Sequence, residues 1–364
     1  MREDFFWLGF SAFRGIGPAK FRKLLLHFGS AKQAWLASEK DLLSVLGSAV
    51  TTQFLIFRAG ISLAAYVKNL EDKKISFLLS KDTNYPQLLA KIPNPPFVLY
   101  VKGDKEIISS LNTGIRSIGV VGTRKVTRYG EEVTTFLTKE LIAQGFVIVS
   151  GLALGVDAIA HQATIESGGK TIAVLGCGVD CCSPSINQPI YDKIIGNFGA
   201  VVAESAYGGV VAKGMFPARN RIIAGLSLGV VVTEGTQDSG ALITATRALE
   251  YHRPVCAVPG PITSVYSKGP LHLIQQGATI VREVDDILQA LDIKKSQHIR
   301  SDQINQKRSN IQEEQQLLEL LAQEQLYFDE IVRRLRKDPK TVSSLLSMME
   351  IKGFIKSSGG KFHI

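Results

Sequence analysis

The sequence predicts an α/β protein whose central domain is a doubly wound, mostly parallel β-sheet. Short continuous apolar runs are typical of strands buried on both faces, and here they alternate with stretches of helical periodicity. Glycine-rich turns follow several runs, at the carboxyl ends of strands where ligands of such sheets bind. The candidate strands are Phe97–Tyr100, Ser117–Val121, Phe146–Val149, Thr171–Leu175, Ala200–Ala203, Gly229–Thr233, Pro254–Val258 and Thr279–Val281, and the candidate helices between them are Glu131–Gln144, Asp157–Ser167, Arg221–Leu226 and Ala241–Tyr251.

The length of 364 residues predicts more than one domain, and four regions differ in pattern. Residues 1–70 have helical periodicity, and residues 71–292 alternate strands and helices. Residues 293–310 form a basic linker, and residues 311–364 return to helical periodicity. The sequence therefore predicts two small modules that flank one α/β domain.

The composition narrows the class of protein. The formal net charge of +9 favours an acidic polymer or an anionic surface as partner, and 45% hydrophobic residues suffice for real cores. No segment approaches the roughly 18 consecutive apolar residues of a membrane span, and the first residues lack the pattern of a secretory signal. We therefore expect a cytoplasmic protein with no membrane partner.

The N-terminal region contains a short glycine turn between two helical stretches. Phe21, Leu24 and Phe28 recur at helical spacing, and Gly15-Ile16-Gly17 precedes them. This turn resembles that of a helix-hairpin-helix or SAM-like domain, in which backbone N–H groups can meet a DNA phosphate. A tight turn in a small helical domain that binds nothing fits the same residues, so the sequence leaves both interpretations open.

The C-terminal region is predicted to be a winged helix, because helical stretches precede a hairpin around Gly359-Gly360. Its second helix is expected to begin near Pro339 and to present Lys340, Ser343 and Ser344 outward. Such a helix can contact DNA. A module that contacts only protein fits equally well, since acidic and basic residues nearly balance in this region.

The strongest functional signal lies where Ser117–Val121 ends in Gly122-Thr123-Arg124. A strand that ends at a glycine and leads into a helix presents backbone N–H groups and the positive end of the helix dipole. Arg124 adds a fixed cation, and its planar guanidinium fits phosphate oxygens. The sequence therefore predicts an anion site at this turn.

A basic segment further along the chain has the composition of a single-strand groove. Lys213, Arg219 and Arg221 supply charge, and Phe216 supplies an aromatic face on which a base can stack. We expect this segment to be a loop that opens a helix at Ile222. Phe216 also fits a place in the core.

Two other loops and one residue pair complete the candidate site. Ser150-Gly151 follows the third candidate strand, and Gly235-Thr236 follows Glu234, so both loops suit a phosphate. Asp157 and His161 lie one helical turn apart and could form an acid–base pair. The alternative is structural: His161 bonds to the sheet edge and Asp157 caps the helix.

Familiar enzyme signatures are missing from the sequence. Gly119-Val-Val-Gly122 is not the dinucleotide-binding Gly-x-Gly-x-x-Gly, and no acidic residue is placed to bind a ribose. We expect no nucleophile elbow. Cys177, Cys181, Cys182 and Cys256 lack the spacing of metal ligands. We therefore expect neither a cofactor nor a metal nor catalysis.

These motifs together resemble the DNA processing protein A (DprA/Smf) family. The resemblance implies an extended Rossmann-like domain in a homodimer that binds single-stranded DNA and is not an enzyme. It also implies that the protein protects incoming DNA and loads the RecA recombinase onto it during natural transformation. The segments that carry the resemblance lie within about residues 75–290 and are Val121-Gly122-Thr123-Arg124, Tyr129-Gly130, Ser150–Asp157, Ala160-His161, Phe216–Ser227, Ser239–Ala245 and Val258-Pro259-Gly260.

The resemblance also implies roles for particular residues. Arg124 and Lys213 are expected to hold phosphates, while Phe216 stacks a base. The implied DNA-binding residues are Gly122, Thr123, Arg124, Ser150, Gly151, Lys213, Phe216, Arg219 and Asn220, and the implied dimer interface contains Leu271, Ile274 and Ile280.

Three departures from the family pattern affect the rim of this pocket. Leu154 stands where arginine is usual, Cys181-Cys182 replaces the usual aromatic residue before a proline, and Pro270 stands where asparagine is common. A rival class is a nucleotide phosphoribohydrolase on a related sheet, whose Pro-Gly-Gly-x-Gly-Thr loop corresponds here to Thr233-Glu234-Gly235-Thr236. The missing double glycine disfavours that enzyme.

Overall fold

The computed structural model describes residues 2–208, 215–293 and 316–363, apart from residues 319, 323, 336, 352, 353 and 359. The chain divides into two compact units, Met1–Lys295 and Ser296–Ile364. The expected border near residue 70 lies inside the first unit, and nearly all of the expected linker lies outside the described residues. The four-part division of the chain therefore stays a prediction.

The first unit begins with helices. Serines cap three of them through their side-chain oxygens, which accept backbone N–H groups of the first turn. Within the described ranges, no single helix is both long enough and apolar enough to cross a bilayer. The helices Ser48–Gly60 and Leu63–Asp72 pass that test only together, and the pair is bent by 70°. These helices are α1 (Glu3–Ala12), α2 (Pro18–Phe28), α3 (Ala31–Leu36), α4 (Glu39–Leu46), α5 (Ser48–Gly60) and α6 (Leu63–Asp72).

Aromatic side chains hold α1 to α6 together. Phe10 and Phe54 stack with ring centroids 5.1 Å apart, and Trp35 meets both rings edge-on. These are favoured geometries for aromatic pairs, and each ring buries a large apolar area. Ile16, in the glycine turn between α1 and α2, is also buried. The predicted helical N-terminus is confirmed, whereas its contact with DNA stays a prediction.

A nine-stranded sheet forms the centre of the first unit, in the order β1-β2-β6-β5-β4-β3-β7-β8-β9. β2 pairs antiparallel with β1 and β6, and the other pairs are parallel. The eight predicted strands are confirmed, and β1 is an edge strand that the sequence did not predict. The strands are β1 (Ser76–Leu79), β2 (Val98–Gly103), β3 (Arg116–Val121), β4 (Phe146–Ser150), β5 (Thr171–Gly178), β6 (Gly199–Ser205), β7 (Val230–Val232), β8 (Val255–Ala257) and β9 (Thr279–Ile280).

Helices cover both faces of this sheet. The side chains of β4 alternate, so that Phe146 and Ile148 join one core with α9 and α10, and Val147 and Val149 join another with α12 and α13. Burial on both faces explains why the strands are continuous apolar runs. The helices are α7 (Gln87–Ala90), α8 (Lys105–Ser110), α9 (Arg128–Ala143), α10 (Val156–Glu166), α11 (Gln188–Lys193), α12 (Met215–Leu226), α13 (Gly240–Glu250), α14 (Lys268–Gln275) and α15 (Val284–Ala290).

The strand order reverses beside β3. From β3 the chain proceeds through β4 and β5 to β6, and it then returns to place β7 on the other side of β3. The loops after β3 and β7 therefore leave in different directions and open a crevice at the carboxyl ends of the strands. Ligands of doubly wound sheets bind at this position.

The second unit is a winged helix, as predicted. Its three-stranded sheet has the order β10-β12-β11, and α17 begins at Pro339. Lys340, Ser343 and Ser344 are exposed on α17, as expected. What this face contacts stays a prediction. The elements are β10 (Leu326–Tyr327), α16 (Phe328–Leu335), α17 (Pro339–Ile351), β11 (Lys356–Ser358) and β12 (Lys361–His363), and the core includes Leu317, Ile331, Val342, Leu346 and Met349.

Two leucines of α2 allow a matched test of the N-terminal packing, because Leu24 is fully buried and Leu26 is 80% exposed. We expect Leu24→Ala to lower the free energy of unfolding by about 2–5 kcal/mol, since it leaves a cavity. Leu26→Ala should change it by less than about 0.5 kcal/mol. Urea denaturation followed by circular dichroism measures both, and equal effects would contradict this packing.

Candidate nucleic-acid interface

A cleft of about 280 Å³ lies at the carboxyl ends of the strands, beside the reversal at β3. Its walls are the loops after β3 and β4, helix α12 and the first turn of α13. Five residues predicted from the sequence line it together: Gly122, Thr123, Arg124, Arg219 and Asn220. The cleft therefore gathers residues that lie about a hundred positions apart in the chain.

The turn after β3 is fixed by close backbone packing. A Cβ at Gly122 would lie 2.5 Å from Val156 Cγ2 and 2.8 Å from the Glu234 carbonyl oxygen, so only glycine fits. The Thr123 N–H donates to that same carbonyl at 2.7 Å, and the Val156 N–H donates to the Thr123 carbonyl at 3.1 Å. The turn therefore holds Arg124, which is exposed, at the wall of the cleft.

The start of α9 is occupied by the protein's own carboxylate. The buried Glu234 side chain accepts the Thr127 N–H at 2.9 Å through Oε2 and the Thr127 hydroxyl at 2.6 Å through Oε1. Thr127 Oγ1 in turn accepts the N–H of Gly130 at 3.1 Å. The sequence predicted that this helix end would face an external anion; in the structure the Glu234 carboxylate already accepts the Thr127 N–H at that end, and an anion at the preceding turn stays a prediction.

The start of α13 faces the cleft instead. Ser239 precedes the helix without a side-chain cap, and Ser239 and Gly240 both line the cleft. The first N–H groups of a helix attract anions, and the helix dipole adds to that attraction. Asn220 steadies this end, because its Nδ2 donates to the Gly240 carbonyl at 3.0 Å. The start of α13 is therefore a positive helix end that faces the cleft.

Arg219 is a buried cation that holds two walls of the cleft together. Its Nη1 donates to the Val174 carbonyl, and the guanidinium lies where a Cβ of Gly151 would be, so any side chain at position 151 would displace it. Asp157 Oδ2 accepts the Gly151 N–H at 3.1 Å and is an electrostatic partner of Arg219. Burial lowers the pKa of Arg219, and Asp157 partly offsets that effect. The pKa of Asp157 is raised by burial, against the opposing influence of Arg219.

The basic segment is not the loop that the sequence predicted. Helix α12 begins at Met215, so Arg219 and Asn220 lie within the helix rather than before it. Pro217 is tolerated there because a proline in the first turn of a helix removes no intrahelical hydrogen bond. Lys213 and the side chain of Phe216 lie outside the described residues. Their contacts with DNA stay predictions.

The loop after β4 contributes backbone rather than side chain. The Ser150 hydroxyl is fully buried and donates to the Val120 carbonyl at 2.7 Å, which ties β4 to β3. Gly151 lies beneath Arg219. Neither residue lines the cleft. Both therefore support the groups that do.

His161 has a structural role. Thr171 Oγ1 donates to the Ile148 carbonyl at 2.7 Å and lies 2.7 Å from His161 Nδ1, so Nδ1 must carry the proton and donate to Thr171. Asp157 is engaged with the loop before α10 instead. The structural interpretation of this residue pair is thus the one that the hydrogen bonds support.

Other candidate chemistry is also accounted for by packing. Gly225-Leu-Ser227-Leu-Gly229 has the letters of a nucleophile elbow, contrary to the expectation that none would occur. Ser227 nevertheless follows a helix, is fully buried and donates to the Ile223 carbonyl at 2.7 Å. Across the described ranges, no group of histidine, cysteine and acidic residues is arranged to hold a metal ion.

The three departures from the family pattern lie at different places. Leu154 is exposed in the loop before α10, where an arginine would add a cation. The Cys177 thiol donates to the Cys181 carbonyl at 2.9 Å, and burial raises the pKa of Cys177 to about 12. Pro270 is buried in the first turn of α14. Only Leu154 changes the charge near the cleft.

The buried imidazole of His161 predicts a pH dependence of stability. Burial, and secondarily the charge of Arg219, lower its pKa from 6.5 to about 3. Its contribution is complete above pH 6.5 and is lost as the pH falls from 6.5 towards 3, because only the unfolded chain then binds the proton. The loss is at most about 1.4 kcal/mol per pH unit.

We expect the urea midpoint of the wild type to fall more steeply below pH 6.5 than that of His161→Asn. Asparagine keeps a donor for Thr171 but does not titrate. The difference between the two pH profiles isolates the imidazole from other groups. Parallel profiles would contradict its assignment as a buried neutral group.

Known proteins resemble this chain along most of its length. Residues 76–292 match the family described as DNA recombination-mediator protein A, and residues 306–361 match the DprA winged helix domain. Protein Smf of Synechocystis sp. is 37% identical over 291 residues, which cover 79% of this chain and 73% of that protein. The DNA processing protein DprA of Bacillus subtilis is 41% identical over 65% of this chain and 76% of its own length.

Solved structures give the same result. DprA from Streptococcus pneumoniae has a TM-score of 0.67 and 35% identity, and the match covers 79% of this chain and 96% of that one. DNA processing protein A from Helicobacter pylori, whose structure concerns the single-stranded DNA binding mode of that protein, has a TM-score of 0.53 and 30% identity over 60% of this chain and 95% of its own. Because the family match spans the sheet that builds the cleft, this chain belongs to the DNA recombination-mediator protein A (DprA/Smf) family.

Proposed function

We propose that this protein binds single-stranded DNA in the cleft beside β3, protects it, and loads the RecA recombinase onto it during natural transformation. One observation carries the proposal: exposed Arg124, buried Arg219 and the uncapped start of α13 come from three segments and line one cleft. The Helicobacter pylori relative supports it, because its structure concerns a single-stranded DNA binding mode.

The lining of the cleft suits a strand with unpaired bases. Arg124 offers charge, and the Gly240 N–H at the start of α13 offers a hydrogen bond, to phosphate oxygens. Ile243 also lines the cleft, is 37% exposed and offers apolar contact to a base face. A duplex hides those faces within its stack, whereas a single strand presents them.

Lys213 and Phe216 keep the roles expected from the sequence. Lys213 holds a second phosphate, and Phe216 stacks a base. Phe216 is the second residue of α12, the helix that carries Arg219, so its backbone starts at the same wall. Asn220 acts indirectly in this proposal, because it holds the start of α13.

The protein acts on DNA as a binding protein and not as an enzyme in this proposal. The side chains that would serve as general acids or bases are engaged in structural hydrogen bonds: Asp157 with Gly151, His161 with Thr171, and Glu234 with Thr127. The rival phosphoribohydrolase activity is tested by incubation with nucleoside monophosphates. Release of free base would overturn this part of the proposal.

The homodimer is proposed to form through α14 and β9. Leu271 and Ile274 are half-buried on α14, and Ile280 is 47% exposed on β9 at the edge of the sheet. Partly exposed aliphatic side chains on adjacent elements are typical of a surface that a second copy covers. The two copies would then bring two clefts to one strand.

Removal of the Arg124 charge tests the cleft. We expect Arg124→Ala to weaken binding of oligothymidylate about five-fold and to reduce the slope of log affinity against log salt by about 0.7. Because the strand is held less tightly, we also expect slower RecA assembly on strands coated with single-strand-binding protein than with the wild type. Arg116→Ala is the matched control. Arg116 begins β3 at the amino end of the strand, whereas the cleft lies at its carboxyl end. Affinity unchanged across a salt titration would refute the assignment.

A charged residue in the proposed dimer surface tests assembly. We expect Ile280→Glu to convert the dimer to a monomer in light scattering, because an unpaired carboxylate would be buried. Leu249→Glu is the matched control, since Leu249 is also 47% exposed but lies on α13. A dimer that persists in Ile280→Glu, or is lost equally in both variants, would exclude this surface.

A further inference from the structure

An exposed apolar surface lies beside the cleft, where the loop after β8 meets the start of α9. We call it the Tyr129 ledge and define it by Tyr129, Pro259, Gly260, Ile262 and Val265. Tyr129 is 38% exposed and Ile262 is 84% exposed, and Val265 is also open to solvent. Contiguous exposed apolar side chains mark interaction surfaces more often than singly exposed ones do.

The aromatic ring on this ledge is held in place. The Tyr129 hydroxyl donates to the Pro259 carbonyl at 2.6 Å, and a Cβ at Gly260 would lie 3.7 Å from the ring. Tyr129 also belongs to the first turn of α9, which Glu234 fixes through Thr127. Burial, and secondarily Glu234, raise the pKa of Tyr129, so the ring is neutral at physiological pH. A rigid neutral ring loses little entropy when another ring stacks on it.

The ledge is continuous with the wall of the cleft. The Gly235 N–H donates to the Tyr266 carbonyl at 2.7 Å, which ties the loop after β8 to the loop after β7. A Cβ at Gly235 would lie 2.7 Å from Ser239 Oγ, and Ser239 lines the cleft. Packed contacts therefore run without a gap from the cleft to the ledge.

Cations adjoin the ledge on both sides. Lys125 is exposed in the turn that follows Arg124, and Lys268 is exposed directly after Ser267, whose hydroxyl packs against Gly260. Arg128 pairs with Glu132 at 2.9 Å and so contributes little net charge. An aromatic face between exposed lysines matches the stacking platforms on which single strands lie.

We propose that the Tyr129 ledge is a second base-stacking platform, which takes an unpaired base of the same strand after it leaves the cleft. This inference rests on the proposed function. The strand would pass from the start of α13 over the loop after β7 and place a base on the Tyr129 ring. The ledge would therefore matter only for strands long enough to extend beyond the cleft.

The experiment compares two substitutions and two lengths of oligothymidylate on the full-length protein. Tyr129→Ala removes the ring, and Tyr129→Phe keeps the ring but loses the hydrogen bond to Pro259. We expect Tyr129→Ala to weaken binding of a strand of about 20 nucleotides roughly ten-fold and to leave a strand of about six nucleotides unaffected. Tyr129→Phe should match the wild type at both lengths. The salt dependence should stay the same in both variants, because no charge is removed.

Photo-cross-linking provides a readout that a structural role would not move. A long strand with 5-iodouracil in place of thymine should cross-link to position 129 in the wild type and in Tyr129→Phe. Equal affinities of all variants for the long strand would contradict the proposed platform. Cross-links that form only at positions other than 129 would also contradict it. Equal losses for Tyr129→Ala and Tyr129→Phe at both lengths would assign a structural role instead.

The ledge and the cleft fail in different ways. If Arg124→Ala retains full affinity, the proposed function fails whatever Tyr129 does. If Arg124→Ala loses affinity while Tyr129→Ala keeps it for the long strand, only the ledge is excluded. If the ledge binds an apolar protein segment and DNA does not compete with that segment, the ledge is not a nucleic-acid surface.

Discussion

The crevice depends on one buried carboxylate. Glu234 lies in the loop after β7, and its side chain accepts both the N–H and the hydroxyl of Thr127, while its carbonyl accepts the N–H of Thr123. One residue therefore fixes the turn after β3 and the first turn of α9 together. A buried carboxylate is costly unless its lone pairs are satisfied, so these hydrogen bonds keep the three segments in one arrangement.

The two arginines of the cleft have different tasks because they differ in burial. Arg219 is buried. Its guanidinium donates a hydrogen bond to the Val174 carbonyl and interacts electrostatically with Asp157. Arg124 is exposed, and contact of a guanidinium with a phosphate costs little because that group is weakly hydrated. The buried cation thus shapes the cleft and raises its potential, while the exposed cation is the one that we propose to contact the phosphate. Substitution of Arg219 would disturb the fold before it revealed anything about binding.

The sequence predicted the sheet well and the details of the site less well. Continuous apolar runs identified eight strands, whereas β1, a four-residue strand at the edge of the sheet, was not predicted. The start of α12 was expected at Ile222 but lies at Met215, and Pro217 is compatible with it because proline suits a first helical turn. The occupant of the α9 terminus could not be predicted, since Glu234 and Thr127 are 107 residues apart and no local pattern links them. Motifs could identify which residues approach the cleft, but not which of them are buried in supporting it.

The placement of the two tryptophans has a practical consequence. Trp7 and Trp35 are both buried among α1 to α6, and Trp7 also meets Phe97 at the start of β2, with ring centroids 6.4 Å apart. Intrinsic tryptophan fluorescence therefore depends on the N-terminal helices and their contact with the sheet, since neither tryptophan lines the cleft. A change in tryptophan fluorescence therefore reports unfolding of the N-terminal helices. It is not expected to report a ligand that binds in the cleft, because neither tryptophan lines it.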